Sequence, residues 1–482
     1  VDCLCGGMSS WKRGRMKLQK VISSLSVASL VSISFISFST AAYASPGDSV
    51  CDLSSGDGSS GSPYLLSTEQ DLFEMDDCID TGNSNNFFKL TNDVHINSPW
   101  TSFDLDGLGS SGAGFDGAGF TISGLSSSSS SNNGLFSTVY SSVIKNLYLE
   151  VGSVSGSNVG ALAGVVGADS TVTNVHVRAT GDITGTGSTG GVIGSVSSAS
   201  AVVENVSFVS SGTVSSTGYR VGGIAGLLKV EKANALSAIT NVSGTNAGGI
   251  AGTFITDPNP STVSGFSFRG TVTGDDAAGG LFGEFFNSGA TVDLANASVI
   301  GTVESTNQEP GGLIGDLVGG NTAKIDTLNV LTSFVSVETK SGGSTTTTAS
   351  LVSPLATGVT ITVSNVFRNE NTTFAETNGA TGKSLSQLKT LSQYTGSSFD
   401  MVELSGFPGN KGLNKWLIDT NVNDGFPFLI SAYEKLVYGA PFRPQSLSLT
   451  PGPESLIVSF NEPIFDGGNS ITGYQYSTDD GS

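Results

Sequence analysis

Short runs of alternating apolar and polar residues recur along most of this chain, and a glycine or an asparagine interrupts each run. The most regular run reads apolar-x-Asn-apolar-x-apolar: Ile144-x-Asn146-Leu147-x-Leu149, Val172-x-Asn174-Val175-x-Val177, Val203-x-Asn205-Val206-x-Phe208 and Leu294-x-Asn296-Ala297-x-Val299. Alternation of this kind predicts strands that bury one face. Across the asparagine the apolar set slips by one position, as it does when a bend separates two short strands. In Val263-x-Gly265-Phe266-x-Phe268 a glycine takes the asparagine's place. Asn and Gly are the residues that most readily accept positive φ. Asn146, Asn174, Asn205, Asn241, Gly265, Asn296 and Asn365 are therefore expected to be left-handed bend positions.

Two further elements alternate with this one. A Gly-Gly-apolar-x-Gly block begins at Gly160 (with Ala161 as its second residue), Gly190, Gly222, Gly248, Gly279 and Gly311, at intervals of 30, 32, 26, 31 and 32 residues. A Gly-x-apolar step recurs at Gly152-x-Val154, Gly181-x-Ile183, Gly212-x-Val214, Gly270-x-Val272 and Gly301-x-Val303. A period in this range indicates a solenoid or a propeller, and a propeller blade needs roughly 40 residues and four longer strands. With about three very short, β-branched strands per repeat and no helical apolar period, stacked parallel coils are the better match. The predicted fold is all-β: a right-handed parallel β-helix with short helical caps. Thr68 begins a helix reaching about Asp77, with Asp71 at the reciprocal capping distance, and Ser384 begins a second through Leu385, Leu388 and Leu391. Such caps shield the unpaired edges of terminal coils.

The Gly-Gly and Asn-centred pattern resembles the GLUG-motif repeats of bacterial secreted and surface proteins. Pro63-Tyr64-Leu65-Leu66-Ser67-Thr68, Lys89-Leu90-Thr91-Asn92-Asp93-Val94 and Phe115-Asp116-Gly117-x-Gly119-Phe120-Thr121-Ile122 look like the opening of such a β-helix, and Trp416-Leu417-Ile418-Asp419 with Asn423-Asp424-Gly425-Phe426 like its tail. The resemblance covers roughly residues 60 to 430, although Ile325-x-Thr327-Leu328-x-Val330 lacks the Asn or Gly and 331–360 lacks the glycine block. Beyond Tyr438 prolines accumulate at 441, 444, 451 and 453. Leu447-x-Leu449, Ser455–Phe460 and Ile471–Tyr476 read as three strands, and Asp466-Gly467-Gly468-Asn469-Ser470-Ile471-Thr472-Gly473-Tyr474 resembles part of a fibronectin type III sandwich, an immunoglobulin-like fold truncated here. The expected division is 1–44, upstream residues and a secretory signal; 45–130, N-terminal cap and first coils; 131–375, GLUG-like repeats; 376–435, C-terminal cap; and 441–482, the partial sandwich.

Composition agrees with a turn-rich fold. Of 482 residues 65 are glycine, about 13% against roughly 7% on average, and only 13% are charged, about half the usual share. The net charge of −20 opposes nucleic-acid binding, which needs concentrated positive charge. Lys12, Arg13, Arg15, Lys17 and Lys20 precede an uncharged stretch from Val21 to Tyr43 that ends in Ala42-Tyr43-Ala44, the pattern of a signal peptide with its cleavage site. Its eight serines make it a poor membrane anchor, so no stable membrane insertion of the mature chain is expected and its place is extracellular or at the cell surface. Met16-Lys17 reads as the natural start, with 1–15 as upstream translation. In an exported chain Cys51 and Cys78 are expected to pair, with two free thiols as the alternative; the closure of 27 residues removes roughly 3 kcal/mol of unfolded-chain entropy.

Little in the sequence points to catalysis. The nearest acidic cluster is Asp104, Asp106 and Asp116. It is read first as a solvated loop, second as a weak calcium site, since Asp-x-Asp-Gly echoes an EF-hand start without its distal Glu. A glycosidase pair is the third reading. His95 and His176 lack companion cysteines, and His176 falls at an outward position, which suggests a surface histidine. The Gly-Gly pairs are not dinucleotide fingerprints, because no helix follows them. The asparagine row reads as a structural ladder, with sugar recognition as its alternative. The expected function is that of a non-catalytic β-helical rod for adhesion or ligand display. It would need no cofactor and bind a polysaccharide, a surface or a protein, with a polysaccharide lyase or hydrolase as the competing reading.

Overall fold

The computed structural model describes residues 51–80, 86–106, 113–256, 262–287, 291–317, 327–345, 348–353, 360–371, 373–374, 380–395, 399, 401–403, 416–420, 423–429, 445–452 and 455–461. The chain divides into two compact units, Pro46–Ala432 and a second formed by Val1–Ser45 with Tyr433–Ser482. The signal segment expected at 1–44 lies outside the described residues.

The larger unit is a parallel β-solenoid of about eight turns. Its coils stack in register, so that like positions of successive repeats form columns. Before the asparagine bend, Tyr64 pairs with Phe88, Phe88 with Phe115, Phe115 with Ile144, Ile144 with Val172 and Val172 with Val203, every step parallel. After the bend, Leu147, Val175, Val206, Leu236, Phe266 and Ala297 continue a second inward column. The Gly-x-apolar steps form a third, through Val154, Ile183, Val214, Val242, Val272 and Val303. The glycine blocks add a paired segment not expected as a strand: Ala225–Val230 stacks on Ala251–Thr256, and that on Phe282–Asn287. A coil thus has four pairing segments rather than three, because the residues after each block extend once the corner is turned.

The inward residues of all four columns form one continuous core, running from Tyr64 to Val366. One part of it is an aromatic cluster. Phe282 is fully buried, with ring centroids 4.6 Å from Phe254, 5.3 Å from Phe266 and 5.7 Å from Phe285.

The glycine blocks form the tightest corner of each coil, and here glycine is required for room. A Cβ on Gly222 would come within 3.0 Å of the Ala225 and Ile250 carbonyl oxygens and of the Ala251 Cα, the last two on the next coil. Ile224 and Ala225 donate their amides to the Ile250 carbonyl at 2.9 and 3.0 Å, which holds the two corners together.

The first cap is a helix, α1, spanning Glu69–Asp80, three residues longer than expected. The Asp71 N–H donates to Thr68 Oγ1 at 3.1 Å while Asp71 Oδ2 accepts from the Thr68 N–H at 2.9 Å, the reciprocal box read from the sequence. Cys51 is disulfide-bonded to Cys78 and so ties the leading segment to this helix. Burial raises the Glu69 carboxyl, but the Ser98 and Asn97 amides, donating at 2.7 and 2.8 Å, outweigh it and hold the group below its ordinary range. The second helix, α2, covers only Leu385–Leu388, with Ser384 and Gln387 in a second capping box.

Beyond α2 the chain forms a three-stranded sheet of Met401–Glu403, Trp416–Ile418 and Phe428–Leu429. This segment lies against the side of the solenoid. Arg269 pairs with Asp424, and its Nη1 donates to Asn423 at 3.2 Å. Trp416 Nε1 donates to Asn296 Oδ1 at 3.4 Å, and the Phe426 ring sits 5.7 Å from Phe334. In the smaller unit Gln445–Gly452 and Ser455–Asn461 form an antiparallel hairpin, which contains two of the three strands expected there; 471–476 lies outside the described residues.

Candidate functional site

The bend positions emerge first. Asn146, Asn174, Asn205, Asn296 and Asn365 have φ between 50° and 55°, and Gly265 has φ 83°. Asn241 does not belong with them. In its coil the left-handed residue is Ala235, φ 60°, while Asn241 lies in an extended segment opposite Thr213 and accepts the Thr271 N–H at 3.1 Å. The error arises because Asn241-Val242 copies the local spelling of a bend, whereas the position along the coil is set by register with the neighbours. Thr332, φ 44°, is a further bend without asparagine, in the coil whose element lacks one.

The bend asparagines form a hydrogen-bonded ladder. Asn146 Nδ2 donates to Asp116 Oδ1 at 3.0 Å, Asn174 Nδ2 to Asn146 Oδ1 at 2.8 Å, and Asn205 Nδ2 to Asn174 Oδ1 at 3.1 Å. The ladder stops at Asn205, whose buried Oδ1 has no partner, because the next coil offers Ala235. Ala235→Asn is expected to extend the ladder by one hydrogen bond and to place a residue tolerant of the left-handed region there. The expected gain is about 1 kcal/mol, read as a rise in melting temperature; a fall would contradict the ladder's directionality.

His176 is half-buried on the outer face and belongs to the same network. Its ring stacks on Tyr148, its Nε2 lies 3.1 Å from Asn174 Oδ1, and its Nδ1 lies 2.8 Å from Ser207 Oγ. Asn174 Oδ1 can only accept, so Nε2 carries the proton and Nδ1 accepts from the serine. The histidine is thus a fixed structural member rather than a free surface group. Burial pulls its pKa down to about 4. A folded-state value below the unfolded one favours the neutral ring, so its contribution is complete above the unfolded value near 6.5 and is lost as pH falls toward 4. The expected loss across that window is about 2 kcal/mol, allowing for the partly solvated ring. His176→Gln should flatten this part of the stability–pH curve.

The acidic cluster of the sequence is split. Asp104 and Asp106 lie in the strand Phe103–Asp106, stacked on Phe136–Tyr140, rather than in a loop, and Asp104 accepts from the Ser137 hydroxyl. Asp116 belongs to the pre-bend column. Burial raises its carboxyl, but the Asn146 amide, the Ala118 N–H and Lys145 at 3.5 Å together hold it below the usual range. Asp104 and Asp116 therefore serve coil-to-coil contacts. The Gly107-Leu108-Gly109 end of the run that begins at Asp104 lies outside the described residues. Among the described residues no group of three His, Cys, Asp or Glu side chains could hold a metal ion, and no helix is long and apolar enough to cross a membrane.

A different cluster, not singled out from the sequence, gathers on the glycine-block face. Thr253 pairs with Glu284 and Glu284 with Asp316 on successive coils. The Tyr219 hydroxyl donates to Glu284 Oε1 at 2.7 Å, Thr253 Oγ1 donates to Glu284 Oε2 at 2.8 Å, and Arg220 Nε donates to Thr253 Oγ1 at 3.1 Å. Burial, and secondarily the Glu284 charge, push the Asp316 carboxyl above its ordinary value. Tyr219 and Glu284 are 65 residues apart, two coils, and no short motif joins them. Only the coil register, once known, could have paired these positions.

The fold places this chain among the parallel β-solenoids. No family model and no curated protein matches it. A solved structure from Bacteroides ovatus, described as a "putative immunoglobulin A1 protease", is 17% identical, with a TM-score of 0.43 and a match that covers 78% of this chain and 95% of that one.

Proposed function

We propose that this is an exported, non-catalytic protein of the cell surface or its surroundings, a β-helical rod of the GLUG-repeat kind that adheres to or displays a ligand. The observation that carries this reading is the strict register of the outward side chains. Ser155, Thr184, Ser215, Ser243 and Thr273 stand in one column, none of them buried, and Thr271 stands beside Thr302 in another. Rows of short hydroxyl-bearing side chains one strand spacing apart, ~4.8 Å, suit repetitive contact with an extended ligand or surface. The signal-like N-terminal sequence and the following sandwich-like segment support export and display. A polysaccharide, a surface or another protein is the partner class.

A carbohydrate-active enzyme is the second reading, and one observation favours it. Glu284 and Asp316 are in-register neighbours with the second carboxyl raised, and retaining glycosidases hold two carboxyls about 5 Å apart. Incubation with a panel of insoluble polysaccharides, read for retained protein and for new reducing or unsaturated ends, separates the two. Retention without new ends is expected. Turnover that disappears in Glu284→Gln or Asp316→Asn would overturn the display reading.

A further inference from the structure

The cluster around Glu284 holds more polar capacity than its own members use. Asn246 is 2% exposed, pairs in register with Arg220 and donates its backbone N–H to the Tyr219 carbonyl at 2.8 Å. Its side-chain amide interacts with the Tyr219 phenol, but the buried Nδ2 makes no hydrogen bond of normal length and angle. A buried amide nitrogen so poorly satisfied is costly, and native structures seldom leave one without a purpose. Beside it the Tyr219 ring is 50% exposed, and the Arg220 guanidinium lies 5.4 Å from the ring centroid. Glu284 and Asp316 contribute two stacked carboxylates, of which Glu284 is 6% exposed, against the single positive charge of Arg220.

We propose that Tyr219, Arg220 and Asp316, backed by the buried Asn246, Thr253 and Glu284, form a saccharide subsite that takes neutral or amino sugars. The inference rests on the reading of the rod as a ligand-binding surface and names where and what it binds. The mixture of groups selects the ligand chemistry. A divalent cation would satisfy the carboxylates but repel Arg220. An anion would pair with Arg220 but meet both carboxylates. A sugar hydroxyl donates and accepts at once, so one polyol can give its proton to the Asp316 carboxylate and take one from Arg220, both of them partly exposed. The half-exposed Tyr219 ring offers an apolar plate for the C–H face of a pyranose. The excess of negative charge disfavours uronic and sialic acids. From the coil of Tyr219 to that of Asp316 is three coil steps, ~14 Å, so the subsite accommodates an oligosaccharide lying along the rod.

Titration calorimetry of the full chain with cellohexaose, mannohexaose, chitohexaose and hexagalacturonate tests this. At least one of the three uncharged hexaoses is expected to bind and hexagalacturonate is not. Tyr219→Ala and Glu284→Gln should each weaken that binding on the order of tenfold, with Tyr219→Phe losing less than Tyr219→Ala because the ring remains. The melting temperature of each variant is measured alongside; Tyr219 is exposed, so its variants report on binding even where Glu284→Gln fails to fold. Hexaose binding that survives both Tyr219 variants unchanged overturns the subsite while leaving a display rod with its contact elsewhere. Equal or tighter binding of hexagalacturonate, no binding of any hexaose, or calcium binding abolished by Glu284→Gln in place of sugar binding each overturns it too. Cleavage of a hexaose during the titration would instead count against the non-catalytic reading.

Discussion

Phe282→Ala should lower the stability of the solenoid by about 3–5 kcal/mol, the range for truncating a fully buried aromatic. Phe282 occupies the part of the core where four phenylalanines meet, with Phe254 stacked on it and Phe266 edge-on. Phe254 comes from the preceding coil and Phe266 from another column, so a neighbour cannot fill the vacated space without moving a strand that is paired above and below. In a stacked fold each coil is held chiefly by its nearest neighbours. The loss should therefore also reduce the cooperativity of unfolding and favour partial opening between the coils on either side. Equilibrium denaturation would show a lower midpoint, and hydrogen exchange would localise the opening to coils near 251–287. A change under about 1 kcal/mol would mean that the aromatic cluster is less tightly packed than these distances imply.

Gly222→Val should cost about 3 kcal/mol or more, at or above the upper end for overpacking, because the added atoms meet backbone rather than a movable side chain. The obstructing groups are the Ala225 and Ile250 carbonyls and the Ala251 Cα, and two of the three belong to the next coil. Relief would require the corner hydrogen bonds to Ile250 to lengthen, which separates two coils at their closest approach. Gly61→Ala is the matching control, since a Cβ there would meet nothing within 4 Å, and it should leave the melting temperature unchanged. Equal tolerance of the two substitutions would show that the glycine blocks are not conserved in shape by steric need.

Much of this fold was legible because a solenoid repeats its local rules. The period-two alternation, the one-residue slip at Asn174 and the Asn-to-Gly exchange at Gly265 together gave short strands and left-handed bends, and the backbone has both residues at positive φ. The reciprocal cap at Thr68 and Asp71 was equally local, three residues apart. Ala235 and Thr332 were hidden because neither residue type advertises positive φ; their coils impose it through pairing on both sides. Asn241 misled for the converse reason, since it has the right spelling in a segment whose neighbours are extended.

The candidate subsite and the lateral tail belong to another category. Tyr219 meets Glu284 and Arg269 meets Asp424 across 65 and 155 residues, through coils of unequal length. The sequence by itself determined the coil, most of its bends, its glycine corners and its caps, because these follow from backbone sterics and from which side chains face the core. Which outward side chains become neighbours was decided only by the tertiary structure. Coil intervals that vary from 26 to 32 residues shift every outward position by an amount that local pattern does not encode, and the stacked register alone resolves it.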